Sequence, residues 1–181
     1  MLTFLIILAV ALWLCSLWCL YGRQLIAPAL SYCALLVLSF AKTSAGFRLL
    51  PLNATILTVW LAISLVVMIA VILQSEPMRR QTRGMTWIIA GAITGMIVGL
   101  VPISSTFALS TLYTTMICGT LAGTALGFLV YTTTRSGEGV KPGSGHFFQY
   151  LLAKGFPTAI TVMMLGVALV LLLAMNNVNA L

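Results

Sequence analysis

Side chains able to do chemistry are scarce in these 181 residues, and the scarcity narrows what the chain can be. There is no Asp, and the two acids are Glu76 and Glu138, both in polar connectors between apolar runs. A metal-dependent phosphotransfer centre holds Mg²⁺ with carboxylates. An intramembrane aspartyl protease needs two Asp sharing a proton. Ion-coupled carriers often place an acid at mid-membrane. None of these can be built on acids within the helices of this chain. His146 is the single histidine, too few for bis-His haem ligation or a His-rich zinc centre. The four cysteines, Cys15, Cys19, Cys33 and Cys118, contain no CxxC and sit in apolar runs, where thiols act mostly as small hydrophobes. A disulfide between helices is the alternative for them. No metal site, cofactor or catalytic residue is implied by any motif.

The elements that must position these few groups are apolar. The chain is 61% hydrophobic and 6% charged, with a mean hydropathy of +1.15, which is outside the range of soluble domains. Six runs, at about 2–21, 24–40, 54–73, 85–101, 107–131 and 147–175, approach the ~20 residues that cross ~30 Å of hydrocarbon. Alternating barrel strands are absent, so helices are expected. The fold class predicted is all-α: a polytopic integral membrane protein, one transmembrane domain over 1–181, built as a bundle of six helices. The first run lacks a basic region before it and is longer than a signal-peptide core, so it reads as a retained helix.

The net charge of +7 would suggest nucleic acid in a soluble protein. Here the cations flank apolar runs, with no interleaved aromatics, so a topological role is the simpler reading and no nucleic-acid partner is expected. Connectors after the odd-numbered runs carry Arg23, Arg79, Arg80, Arg83, Arg135 and Lys141, with Lys154 close by; those after the even-numbered runs carry Lys42 and Arg48. The positive-inside bias therefore places 75–84 and 132–146 in the cytoplasm and both termini outside. A bacterial inner membrane is the expected home.

Three features of the helices invite a functional reading. Gly91, Gly95 and Gly99 form GxxxGxxxG in the fourth run, and Gly119, Gly123 and Gly127 repeat it in the fifth. Glycines four apart line one face and let backbones approach closely. The expectation is a tight antiparallel hairpin, with packing against another subunit or a second copy as the alternative. The fifth run also carries many hydroxyls. These normally bond back to a carbonyl one turn earlier; alternatively Thr120 and Thr124 line a polar path. Lys154 is the one charge that falls within an apolar run. Snorkelling toward the headgroups is the expected behaviour, and an anion or headgroup site beside the helix-weakening Gly155 and Pro157 is the alternative.

Arg79, Arg80 and Arg83 are read first as topology signals and second as contacts for anionic lipid or a partner. The Gly- and Ser-rich stretch 132–146 lacks the phosphate-loop order and reads as a linker. Asn53 heads a formal glycosylation sequon close to the membrane. Short echoes, Thr55, Thr58 and Val59 against Thr158, Thr161 and Val162, suggest a weak 3+3 inverted repeat split at 75–84. The functional expectation is a non-catalytic subunit of a larger membrane complex. A small transporter or channel with a path near helices four to six is the alternative, and a membrane enzyme comes last. The partners expected are the lipid bilayer and either other membrane subunits or a second copy.

Overall fold

The computed structural model describes residues 2–22, 24–41, 52–74, 84–101, 109–134 and 145–178. Within them the chain is all-helical, with no strand. The helices are α1 (Leu2–Gly22), α2 (Ile26–Phe40), α3 (Ala54–Ile72), α4 (Met85–Leu100) and α5 (Leu109–Thr134). A long final helix follows in three pieces: α6 (Gly145–Tyr150), a π-helical turn (Leu151–Gly155) and α7 (Phe156–Val178). Four of the six helices are long and apolar enough to cross a membrane, spanning Thr3–Gly22, Ala54–Ile72, Thr111–Thr134 and Phe147–Leu171.

Two helices fall short of the expected span. The α2 helix has 15 residues and α4 has 16, and at 1.5 Å per residue each is only ~23 Å long. Their ends have local causes. Gly84, just before α4, has φ +81, a left-handed conformation that ordinary side chains rarely adopt. At the far end Val101 is already extended (ψ 119), as the residue before Pro102 is biased to be. Ala41 leaves α2 in the same way, with ψ 125. Conversely, α5 runs three residues past the predicted Tyr131. The hydroxyls of Thr132 and Thr133 donate to Leu129 O and that of Thr134 to Tyr131 O, so polar residues close the helix instead of ending it.

The final helix is the axle of the bundle. It touches α1, α2, α3, α4 and α5, and 78% of its most apolar window is buried, against 22% for α1 and α3. The main core gathers around it, with Leu35 and Leu38 from α2, Val67 from α3 and Met163, Met164 and Val167 from α7. A second core closes one end of the bundle, joining Leu20 at the end of α1, Met85 at the start of α4, Tyr131 at the end of α5 and Phe147 at the start of α6. Those four helix ends therefore lie together. Its centre is aromatic: Phe128 stacks on Tyr150 with centroids 4.8 Å apart and rings 13° from parallel, and meets Phe147 at 4.8 Å.

The weak 3+3 repeat would make α3 and the final helix equivalent. They sit in unlike surroundings, one at the periphery and one at the centre.

Candidate functional site

The six repeated glycines face one another across α4 and α5. A Cβ built on Gly91 would come 2.9 Å from Gly127 Cα; on Gly95, 2.9 Å from Gly123 Cα; on Gly99, 2.8 Å from Met116 Cα. From the other side a Cβ on Gly123 would meet Gly95 Cα at 2.8 Å, and one on Gly127 would press on the Trp87 carbonyl. These neighbours are backbone, which cannot swing aside. The pairing 91 with 127, 95 with 123 and 99 with 116 runs in opposite directions along the two helices, so the hairpin is antiparallel. Thr115 seals its tip by donating to Gly99 O across the interface at 2.7 Å. On the outward side of this contact lies a shallow groove of about 500 Å³, lined by Ala90, Thr94, Val98, Ala122 and Leu126 beside the glycines.

Four hydroxyls on α5 and α7, unlike that of Thr115, are turned to their own helices. Thr120 donates to Met116 O at 2.7 Å and Thr124 to Thr120 O at 2.6 Å. On α7, Thr158 donates to Lys154 O and Thr161 to Pro157 O, both at 2.7 Å. All four threonines are buried. Their protons are committed to carbonyls one turn back, so they shield backbone oxygens within the core and are not free to donate to a bound anion.

Lys154 corrects an expectation. Its side chain does not snorkel along a lipid-facing surface: the residue is 1% exposed, with Ala153 and Gly155 buried beside it. The reason is its place on the inward face of the central helix, whose outward face at this level is taken by the exposed Leu152 and Phe156. Here the helix also loosens into a π turn, the Phe156 amide reaching back to Leu151 O. Pro157 has no N–H to give the Ala153 carbonyl four residues earlier. Gln74, at the end of α3, supplies the donor instead, its Nε2 lying 3.3 Å from Ala153 O. The signal for this bond is in the sequence, since a buried Pro frees a carbonyl, but its partner, 79 residues away, is not. Beside the π turn an apolar cavity of about 390 Å³ opens between α5 and the final helix, walled by Leu121, Thr124, Ala125, Leu152 and Phe156. Lys154 is not part of its wall, so Thr120, Thr124 and Lys154 do not converge on one pocket.

Two polar contacts lie outside any sequence motif. Ser16 on α1 donates to Ala27 O and lies 2.8 Å from Ser31 Oγ on α2. Buried Gln24 donates to Met85 Sδ at 3.3 Å, leaving its Oε1 without a partner. Cys15, Cys33 and Cys118 are exposed and Cys19 is half-buried; all four are free thiols, so the disulfide alternative is not realised. Among the described residues no three His, Cys, Asp or Glu side chains gather as metal ligands. Arg79, Arg80, Arg83, Glu76, Glu138, residues 102–105 and most of the 132–146 stretch lie outside the described residues, as does the side chain of His146. Comparison with protein-family models, curated proteins and solved structures finds no match for this chain.

Proposed function

We propose that the protein is a six-helix integral membrane protein acting as a non-catalytic subunit of a larger membrane complex. The observation that supports this most is the outward groove on the α4–α5 hairpin. Its floor is glycine backbone and its rims are Ala90, Thr94 and Ala122, all exposed. Within lipid, where apolar burial gives helices no advantage, close backbone approach over such small residues is what holds one helix to another. The groove is long enough for about three turns of a partner helix, because its lining runs from Trp87 to Val98 along α4 and from Gly119 to Val130 along α5. The single-domain reading of 1–181, the bacterial inner membrane, the outward termini and cytoplasmic 75–84 and 132–146 belong to the same proposal. So does a contact of Arg79, Arg80 and Arg83 with anionic lipid or a partner.

The experiment is purification of the tagged protein from its native membrane in mild detergent. A stoichiometric set of membrane partners, lost when Ala90 and Ala122 are changed to Leu, is the expected result. Recovery of the protein alone would overturn the subunit reading. A transporter is the second reading, favoured by one feature: a central helix broken into a π turn at a buried lysine, next to a cavity. It predicts flux in liposomes holding this protein alone, altered by Lys154→Ala.

A further inference from the structure

The cavity of about 390 Å³ beside the π turn has a mouth and a direction. Its walls run from Phe148 and Gln149 at one end to Leu121 and Ala159 at the other. At 1.5 Å per residue, helix from Phe148 to Ala159 rises about 16 Å, which matches half of the ~30 Å hydrocarbon layer. The mouth lies at the end of the bundle closed by the second core, because Phe147 belongs to that core. Leu121, Phe148, Leu152 and Phe156 are exposed along the rim, so the cavity also opens sideways, onto the surface that faces lipid if the bundle spans a membrane. Its depth offers no polar group, since the proton of Thr124 is given to Thr120 O. The other polar side chain in the lining is Gln149, exposed at the mouth. A slot that is apolar in depth and polar only at its mouth gives a polar solute no partner. It fits a chain with one polar end.

We propose that this cavity holds one acyl chain of an anionic phospholipid, drawn from the leaflet at the end of the bundle where α1, α4, α5 and α6 meet. The charge of that end selects the headgroup. In the sequence Arg23 follows Gly22, Arg83 precedes Gly84 and Arg135 follows Thr134. Each is therefore one Cα step of about 3.8 Å from a described residue at a helix end. Leu20, Met85 and Tyr131, close to those three ends, share one core with Phe147. The connectors that leave these ends carry Arg23, Arg79, Arg80, Arg83, Arg135 and Lys141 against Glu76 and Glu138, so their balance is positive. Cations at a membrane surface attract anionic headgroups. The slot adds what that attraction lacks, a fixed seat for the tail. The site rests on the membrane reading, and it serves a subunit or a carrier equally.

The test offers the full-length protein, in mild detergent, equal amounts of dioleoyl phosphatidylglycerol and dioleoyl phosphatidylcholine, and weighs the complexes by native mass spectrometry. One phosphatidylglycerol should be retained, in preference to phosphatidylcholine by at least about fivefold, the factor that one arginine near the surface supplies. Arg83→Gln should lower that preference about fivefold. Ala125→Phe, whose ring would fill the cavity, and Leu121→Trp, on its exposed rim, should each abolish retention. Ala122→Phe, on the separate α4–α5 groove, should leave it unchanged, and thermal unfolding of every variant reports that it has folded. A benzophenone attached to Leu152→Cys, in the protein with its four cysteines replaced by Ala, should label phospholipid when native membranes are irradiated. Label on a second copy or on another protein would overturn lipid as the occupant. Equal retention of the two lipids would overturn the anionic headgroup, and unchanged retention in a folded Ala125→Phe or Leu121→Trp would overturn the site. Release of the protein from membranes by alkaline carbonate, without detergent, would instead refute the membrane reading on which the site rests.

Discussion

The bundle holds two antiparallel hairpins that solve one problem in opposite ways. In α1–α2 the helices are joined by side chains: Ser16 reaches Ala27 O and Ser31 Oγ, each at 2.8 Å. In α4–α5 they are joined by the absence of side chains, with six glycines letting backbone meet backbone. A polar bond across helices in a membrane contributes little more than ~0.6 kcal/mol, because the separated helices find other partners for the same groups. A glycine contact is different in kind. It has no strong attraction to lose, but it has no tolerance, since a side chain placed there meets backbone that cannot move. The first hairpin should therefore degrade gradually under mutation and the second abruptly.

That contrast can be broken or sharpened in order of size. The largest effect should come from Gly95→Leu and Gly123→Leu, each costing about 3 kcal/mol or preventing assembly, because overpacking against fixed backbone forces the helices apart. Thermal unfolding in detergent measures it, and a wild-type transition in either variant would refute the close-contact argument. Next is Gln74→Ala, which removes the donor to Ala153 O and should cost about 1 kcal/mol. The same change in a Pro157→Ala background should cost close to nothing, because residue 157 then has an N–H for that carbonyl; equal costs in the two backgrounds would show that Gln74 does not serve the gap left by proline. Ser16→Ala should cost about 0.6 kcal/mol, readable as a small shift in the same unfolding transition. The smallest effect belongs to Gly22→Ala, where no atom lies within 4 Å of the added Cβ. There the change should stay within about 0.5 kcal/mol. A large loss at Gly22 would mean that glycine content, not glycine position, governs this protein.

Much of the helical layout was legible because it rests on local chemistry. Apolar runs fix where helices form, and Pro102 fixes where α4 must stop through its effect on Val101. The spacing of Gly91, Gly95 and Gly99 identifies a flat face without any structure. Less legible was the length of α5, since Thr132 to Thr134 read as a polar end until their hydroxyls are seen capping carbonyls within the helix. Lys154 was misread for a different reason. Whether a long cationic side chain snorkels or is buried depends on what surrounds its helix, and a single run of residues carries no information about neighbours.

Composition and spacing alone determined that this chain is helical, apolar and poor in acids, because those properties belong to residues and to intervals of three and four along one helix. Tertiary structure decided which helix is central, and so which side chains are enclosed. The final helix became the axle, its π turn drew Gln74 from α3, and Met96 and Met116 were packed on Gly166. None of these follows from periodicity, because each joins residues far apart in sequence. Such pairings are set by how five helices share the surface of a sixth.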